Sequence, residues 1–132
     1  MGVPAATANH TVIAVDTHIV LVPTPGGPVP TPLPHPFNGI LDGGLVQTVK
    51  IAGQPAAVVG STATNTPAHI PMPPGVAFQK PPANRATIFQ GSFTVLIGGQ
   101  PAARMGDPAM TCNDPADLPV GQVIAAGTVM IG

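Results

Sequence analysis

The sequence predicts an all-β protein, a small assembly of β-hairpins in quasi-threefold repetition with little or no helix. Three observations predict it. The 132 residues include 16 glycines and 19 prolines, a density of turn formers that leaves little room for helix. The hydrophobic share is still 44% and the mean hydropathy is positive, so the chain is compact rather than disordered. Most of that apolar content is Ala, Val, Gly and Thr, which implies a narrow core. Finally, the chain repeats itself: VKIAGQPAAVVGS at 49–61 and VLIGGQPAARMGD at 95–107 keep V-x-I-x-G-Q-P-A-A-x-x-G in register, the signature of a quasi-symmetric architecture.

Taken in order, the elements follow from local chemistry. IAVDTH at 13–18 reads as the worn tail of one copy, with Asp16 in the place that Asp107 holds in the 95–107 copy. VPTPGGPVPTPLPHPFNG at 22–39 reads as a proline-rich insertion in a single domain spanning 1–132. In polyproline geometry, at about 3.1 Å per residue, the stretch from Pro23 to Pro36 reaches roughly 40 Å. TVLI at 94–97 and TVMI at 128–131 are short, β-branched and apolar, which suits strands. The A-G-Q-P and G-G-Q-P segments are turns, with glycine free to take positive φ and proline setting the next residue. The P-A-A segments then return as second strands. AAGTVMIG at 125–132 repeats the lead-in at 90–99. A hairpin of this size cannot bury a face alone, so about three must pack together. Phe78, Phe89 and Phe93 are expected in the core or in the base of that object, and 70–87 has no assigned place.

Composition excludes several functions. Lys50, Lys80, Arg85 and Arg104 are the four basic residues, the net charge is −1, and Trp and Tyr are absent. That argues against nucleic acid and against sugar binding on aromatic platforms. So few charges give little protection against association, which implies that a partner covers part of the surface. MGVPAATANHTVIAV has no basic n-region, and Asp16 interrupts its apolar stretch, so no signal peptide and no membrane insertion of its own are expected. The chain ends inside a strand motif at Ile131-Gly132, so no appended toxin domain is expected. The single cysteine, Cys112, excludes an internal disulfide and leaves a buried thiol, a reactive thiol or a metal ligand.

Pro101-Ala102-Ala103-Arg104 with the following Gly106-Asp107, the T-V-x-I-G-G strand before it and Cys112 after it, resembles the PAAR-repeat family, in its PAAR-like form with a proline-rich insertion. Pro55-Ala56-Ala57-Val58 differs from the tetrapeptide only in its last residue. The resemblance covers about residues 12–132. It implies a small β-cone that caps the trimeric spike of a contractile injection machine, such as a type VI secretion system, a phage-like tail or an extracellular contractile particle. A structural zinc ion held by three histidines and one cysteine would sit near its vertex. It further implies a trimeric, VgrG-like spike protein at the base of the cone, and effectors that the tip carries as an adaptor. Synthesis in the bacterial cytoplasm, assembly at the spike tip and delivery outside the cell or into a target cell complete the expectation.

Carried onto this chain, the zinc site falls on His18, His35, His69 and Cys112. His18, His69 and Cys112 follow repeat units at turn-like positions, and quasi-symmetry brings those loops to one end. A tetrahedral structural zinc takes four ligands, and His35, between Pro34 and Pro36, supplies the fourth; His10 is the alternative if the proline stretch points elsewhere. Four protein ligands leave no place for a catalytic water, so the chain is not expected to be an enzyme. The competing reading is a small hydrolase, with Cys112 as thiol nucleophile beside Asn113, Asp114 and a histidine, or with a zinc-bound water. It lacks a nucleophile-elbow motif and a helix N-terminus to activate the thiol.

Overall fold

The computed structural model describes residues 2–132 and contains thirteen strands among them and no helix. In chain order they are β1 (Val3–Pro4), β2 (Thr11–Val22), β3 (Val29–Gly43), β4 (Val46–Ile51), β5 (Gln54–Ala56), β6 (Thr62–Asn65), β7 (Ala77–Phe78), β8 (Arg85–Ile88), β9 (Leu96–Ile97), β10 (Gln100–Pro101), β11 (Pro108–Thr111), β12 (Leu118–Ile124) and β13 (Met130–Ile131). The all-β expectation holds.

The repeats form a threefold base. Three two-stranded hairpins, β1–β13, β4–β5 and β9–β10, carry the T-V-x-I and P-A-A segments. The third copy of the tetrapeptide lies at Pro4-Ala5-Ala6-Thr7, not at 13–18, and its lead-in strand comes from the far end of the chain through the pairing Val3↔Ile131. The alanines do not continue each hairpin as second strands, as expected from sequence. They turn to the neighbouring unit, and a ring of backbone hydrogen bonds closes around the pseudo-axis: Ala57 N–H to Ala6 C=O, Ala103 N–H to Ala57 C=O and Ala6 N–H to Ala103 C=O, each 3.0 Å. All three side chains are completely buried. Three backbones approach this closely only where side chains end at Cβ, and close packing makes any extra methyl a clash.

Each copy then closes on an equivalent turn. The backbone N–H of Val58 donates to Ser61 Oγ (3.0 Å), that of Arg104 to Asp107 Oδ2 (2.6 Å), and that of Thr7 to His10 Nδ1 (3.0 Å). His10 and not Asp16 therefore holds the place of Asp107. From these turns β2, β6 and β11 rise, and β3, β8 and β12 return. The six pair as β2-β3-β6-β8-β11-β12 with β12 back on β2, a closed antiparallel barrel. Closure removes free edges. Val12, Ala63 and Ala109 on the rising strands, and Leu41, Ile88 and Val123 on the returning ones, fill its narrow interior.

The strand count falls towards the far end. β12 pairs with β2 only at Thr11–Ile13, and β6 with β3 only at Gly39–Gly43. Beyond them β2 and β3 continue as a long two-stranded arm from Asp16↔His35 to Val22↔Val29, joined by β7 at Val20 and Leu21. The proline stretch is thus half of a β-hairpin over 29–39, not a polyproline loop. The reason lies in its two-residue period. Thr17 and Ile19 direct their N–H groups away from β3, to Asn113 Oδ1 (2.7 Å) and Asp114 Oδ2 (2.9 Å). The even residues of β2 therefore bond to β3, opposite Thr31, Leu33, His35 and Phe37. Pro30, Pro32, Pro34 and Pro36 fall between them, where an N–H would point to the uncovered edge. Proline is tolerated at such positions and blocks pairing there with another chain. The same period turns His35 and Phe37 inward and leaves the prolines exposed.

The aromatic expectations divide. Phe93 is 84% exposed and Phe89 43%, while Phe78 packs against His18 and His35 with ring centroids 5.8 and 5.4 Å away. The buried phenylalanine of the barrel is Phe37.

Candidate metal centre

Above the barrel, where β2 and β3 leave the other strands, five polar side chains from four segments converge. Asp16 and His18 sit two residues apart on β2, so both face the same side of a strand. His35 comes from the β3 position opposite Asp16. His69 arrives on the long connection between β6 and β8, and Cys112 on the β11–β12 connection. Strand β2 and the connections after β6 and β11 all reach this end, which is why residues spaced 51 and 94 positions from His18 meet it; His18 itself lies in a strand and not at the turn expected from sequence.

The ligand atoms of Asp16, His18, His69 and Cys112 all lie within 4.8 Å of one another. The His18 ring is 4.9 Å from His69 and 5.4 Å from His35, and His35 is 5.6 Å from His69, centroid to centroid. His35 stands beside the cluster with both nitrogens engaged: Nδ1 meets the Leu33 carbonyl at 2.9 Å, and Nε2 accepts the Met72 N–H at 3.0 Å. His10 lies eight residues below His18 on the same chain segment, roughly 26 Å away at the rise of a strand, with its Nδ1 taken by Thr7.

Asp16 was missed as a site residue by sequence reasoning. It is fully buried, its Oδ1 accepts from Thr111 Oγ1 (2.5 Å) and Asn113 Nδ2 (3.4 Å), and its Oδ2 lies 3.0 Å from His69 Nε2 and 3.5 Å from Cys112 Sγ. The available signal was D-x-H inside a β-branched run, which places both side chains on one face. Asp114 is the second missed carboxylate. Its Oδ2 takes the Ile19 N–H and faces His18 Nδ1 at 3.4 Å.

The electrostatics of this cluster suit a cation. Burial lowers the pKa of His18, and the neighbouring His69 adds to the effect; burial likewise lowers that of His35. Both rings are therefore neutral and able to donate a lone pair at pH 7. Burial, with the Asp16 carboxylate beside it, pushes the Cys112 thiol up to about 11, opposite to the shift that a nucleophilic thiol needs. His18 is 1% exposed, and neither of its ring nitrogens has a hydrogen-bond partner. Buried polar atoms are rarely left in that state. A metal ion on the imidazole removes the deficit, and the same ion would hold the thiolate that burial alone disfavours. The residues fit a metal, and Asp16, His18, His69 and Cys112 can bind one.

Comparison with known proteins agrees with this architecture. The PAAR motif family model matches residues 1–116, a span that contains all three P-A-A copies, the histidines and Cys112. A search of curated proteins finds no match. Matched over most of its length, and built from three P-A-A units around one axis, the chain belongs to the PAAR motif family.

Proposed function

We propose that this protein is the structural tip of a contractile injection machine, seated by its threefold base on a trimeric spike and hardened near its narrow end by a zinc ion on His18, His35, His69 and Cys112. The observation that carries the docking is the base itself. One chain presents three equivalent hairpins, as a true trimer would, with Leu96 and Met130 at 65% and 55% exposure on two of them and Phe93, 84% exposed, in the segment that leads into β9. An apolar, symmetric face of this kind fits the blunt end of a β-rich trimer, where strand edges need covering.

The ligand set rests on donor chemistry and spacing. Imidazole with thiolate suits zinc. Three imidazoles sharing one tetrahedral ion at about 2.0–2.1 Å hold their ring centroids roughly 5 Å apart, close to the triangle that His18, His35 and His69 form. His35 would exchange the Met72 N–H for the ion. Zinc bound this way supplies no chemistry beyond a rigid cross-link: it ties β2, β3 and the two connections together where too few side chains remain for a core. The tip would be made in the bacterial cytoplasm and leave with the spike. A carried effector would seat on the barrel flank, where Ile13, Val15, Leu118 and Val120 leave an apolar strip open between β2 and β12.

Native mass spectrometry of the protein with its cognate trimeric spike protein tests the docking. One tip per three spike chains is expected, lost in Leu96→Asp/Met130→Asp. Any other ratio, or binding unchanged in that variant, would defeat the reading.

A further inference from the structure

Each of the three clustered histidines has one ring nitrogen set against an oxygen. His18 Nδ1 faces Asp114 Oδ2 at 3.4 Å, His35 Nδ1 faces the Leu33 carbonyl at 2.9 Å, and His69 Nε2 faces Asp16 Oδ2 at 3.0 Å. Two of the acceptors are carboxylates that are themselves buried, with side-chain exposures of 6% for Asp114 and 0% for Asp16. From this pattern we infer that Asp16 and Asp114 are positioning residues of the centre: they fix which nitrogen His69 and His18 offer to the ion, and Asp16 does so from outside the coordination sphere. The inference rests on the metal reading above and adds to it two residues and three tautomers.

A neutral imidazole carries one proton, and the nitrogen that donates it is set by the strongest acceptor in reach. A carboxylate is that acceptor for His69, and for His18 a carboxylate is the nearest oxygen, 3.4 Å from Nδ1 and short of a hydrogen bond in the metal-free chain. The proton therefore sits on Nδ1 of His18 and on Nε2 of His69, which leaves Nε2 of His18 and Nδ1 of His69 with free lone pairs. Neither His18 nitrogen makes a hydrogen bond, so it is the carboxylate beside Nδ1 that leaves Nε2 as the one to offer. His35 donates from Nδ1 to the Leu33 carbonyl, so Nε2, which accepts the Met72 N–H, is the nitrogen it would offer.

Both oxygens of Asp16 are already engaged. Its Oδ1 is occupied by Thr111 and Asn113, the residues on either side of Cys112, and its Oδ2 by His69 and the Cys112 thiol. It thereby sets Cys112 and His69 relative to β2 before any ion arrives. Its charge also matters. With the Cys112 thiolate it offsets the two charges of a divalent cation, and an uncompensated buried charge is costly. Carboxylate–histidine pairs of this kind change metal affinity by about 10–100-fold.

Two measurements test this. Long-range 15N–1H NMR on the metal-free protein at pH 8 reads the tautomers directly. Protons on His18 Nδ1, His35 Nδ1 and His69 Nε2 are expected, and the opposite tautomer at His18 or His69 overturns the assignment. Zinc affinity by chelator competition and the absorption of the cobalt-substituted protein are then compared for wild type, Asp16→Asn and Asp114→Asn. Asparagine keeps the shape and an acceptor oxygen for Thr111. Each variant should still bind one ion with a tetrahedral cobalt spectrum and its thiolate band, but about 10–100-fold more weakly. Affinity unchanged within twofold, or a cobalt spectrum altered in geometry by Asp16→Asn, refutes the positioning role. A wild type that binds no metal at all defeats the metal reading and this inference with it, whereas metal binding with the opposite tautomers or unchanged affinities defeats this inference alone.

Discussion

Replacing Asp107 separates what its side chain does for the turn from what it does for Arg104. Asp107 is 4% exposed; its Oδ2 accepts the Arg104 N–H at 2.6 Å, and its Oδ1 meets the guanidinium at 3.0 Å. Asp107→Ala leaves that backbone donor without a partner, at a cost of about 1–3 kcal/mol. The ion pair adds little, about 0–1 kcal/mol, because the arginine side chain is 23% exposed and water screens it. Asp107→Ser removes the ion pair but restores the acceptor, since Ser61 Oγ performs the same task for Val58 in the second copy. The serine variant should therefore lose about 1 kcal/mol or less, and the alanine variant about 1–3 kcal/mol more than that. Urea unfolding of the metal-free protein measures this as a shift in midpoint at constant slope; metal is left out because binding would add its own stability. Equal losses in Ser and Ala would refute the equivalence of the three turns.

Further outcomes follow from the same structure. Ala103→Val inserts two methyl groups where three backbones meet and should cost about 1–3 kcal/mol in the same unfolding assay, whereas a surface change such as Lys50→Gln should be near neutral. Substituting Pro32, Pro34 and Pro36 together by threonine restores three N–H groups at the uncovered edge of β3. The fold should persist by circular dichroism while light scattering reports self-association. For the metal-free protein, the lowered pKa of His18 and His35 means that the unfolded chain binds protons first as pH falls below the ordinary histidine value of 6.5. Their contribution is thus complete above 6.5 and is lost as pH falls through the folded values; denaturant midpoints between pH 8 and 5 should decline. At the other end, Cys112 is protonated in the folded chain up to about 11 against 9.0 when unfolded, so stability should fall again as pH rises from about 9 to 11.

The repeats made the hairpins and the threefold base legible, because the Gly-Gln-Pro segments dictate a turn in both recognisable copies. The third copy was hidden because its two halves lie at opposite ends of the chain, and Pro4-Ala5-Ala6-Thr7 lacks the G-Q lead-in. The conformation of 29–39 was obscured by composition: prolines weigh against a strand until their two-residue period is matched to a pleat with one unpaired edge. His69 and Cys112 do lie on connections, whereas His18, expected at a turn, stands within β2. Asp16 and Asp114 were not legible as site residues, because a buried carboxylate is recognisable only by what it touches, and their partners stand 53 and 96 residues away from each in the chain.

Zinc per chain, by elemental mass spectrometry of the purified protein and of Cys112→Ser, His35→Ala and His10→Ala, tests the central claim most directly. One zinc in the wild type and in His10→Ala, with loss or weakening in Cys112→Ser and His35→Ala, is the predicted result. A wild type without metal, or one whose metal depends on His10 and not on His35, would contradict it.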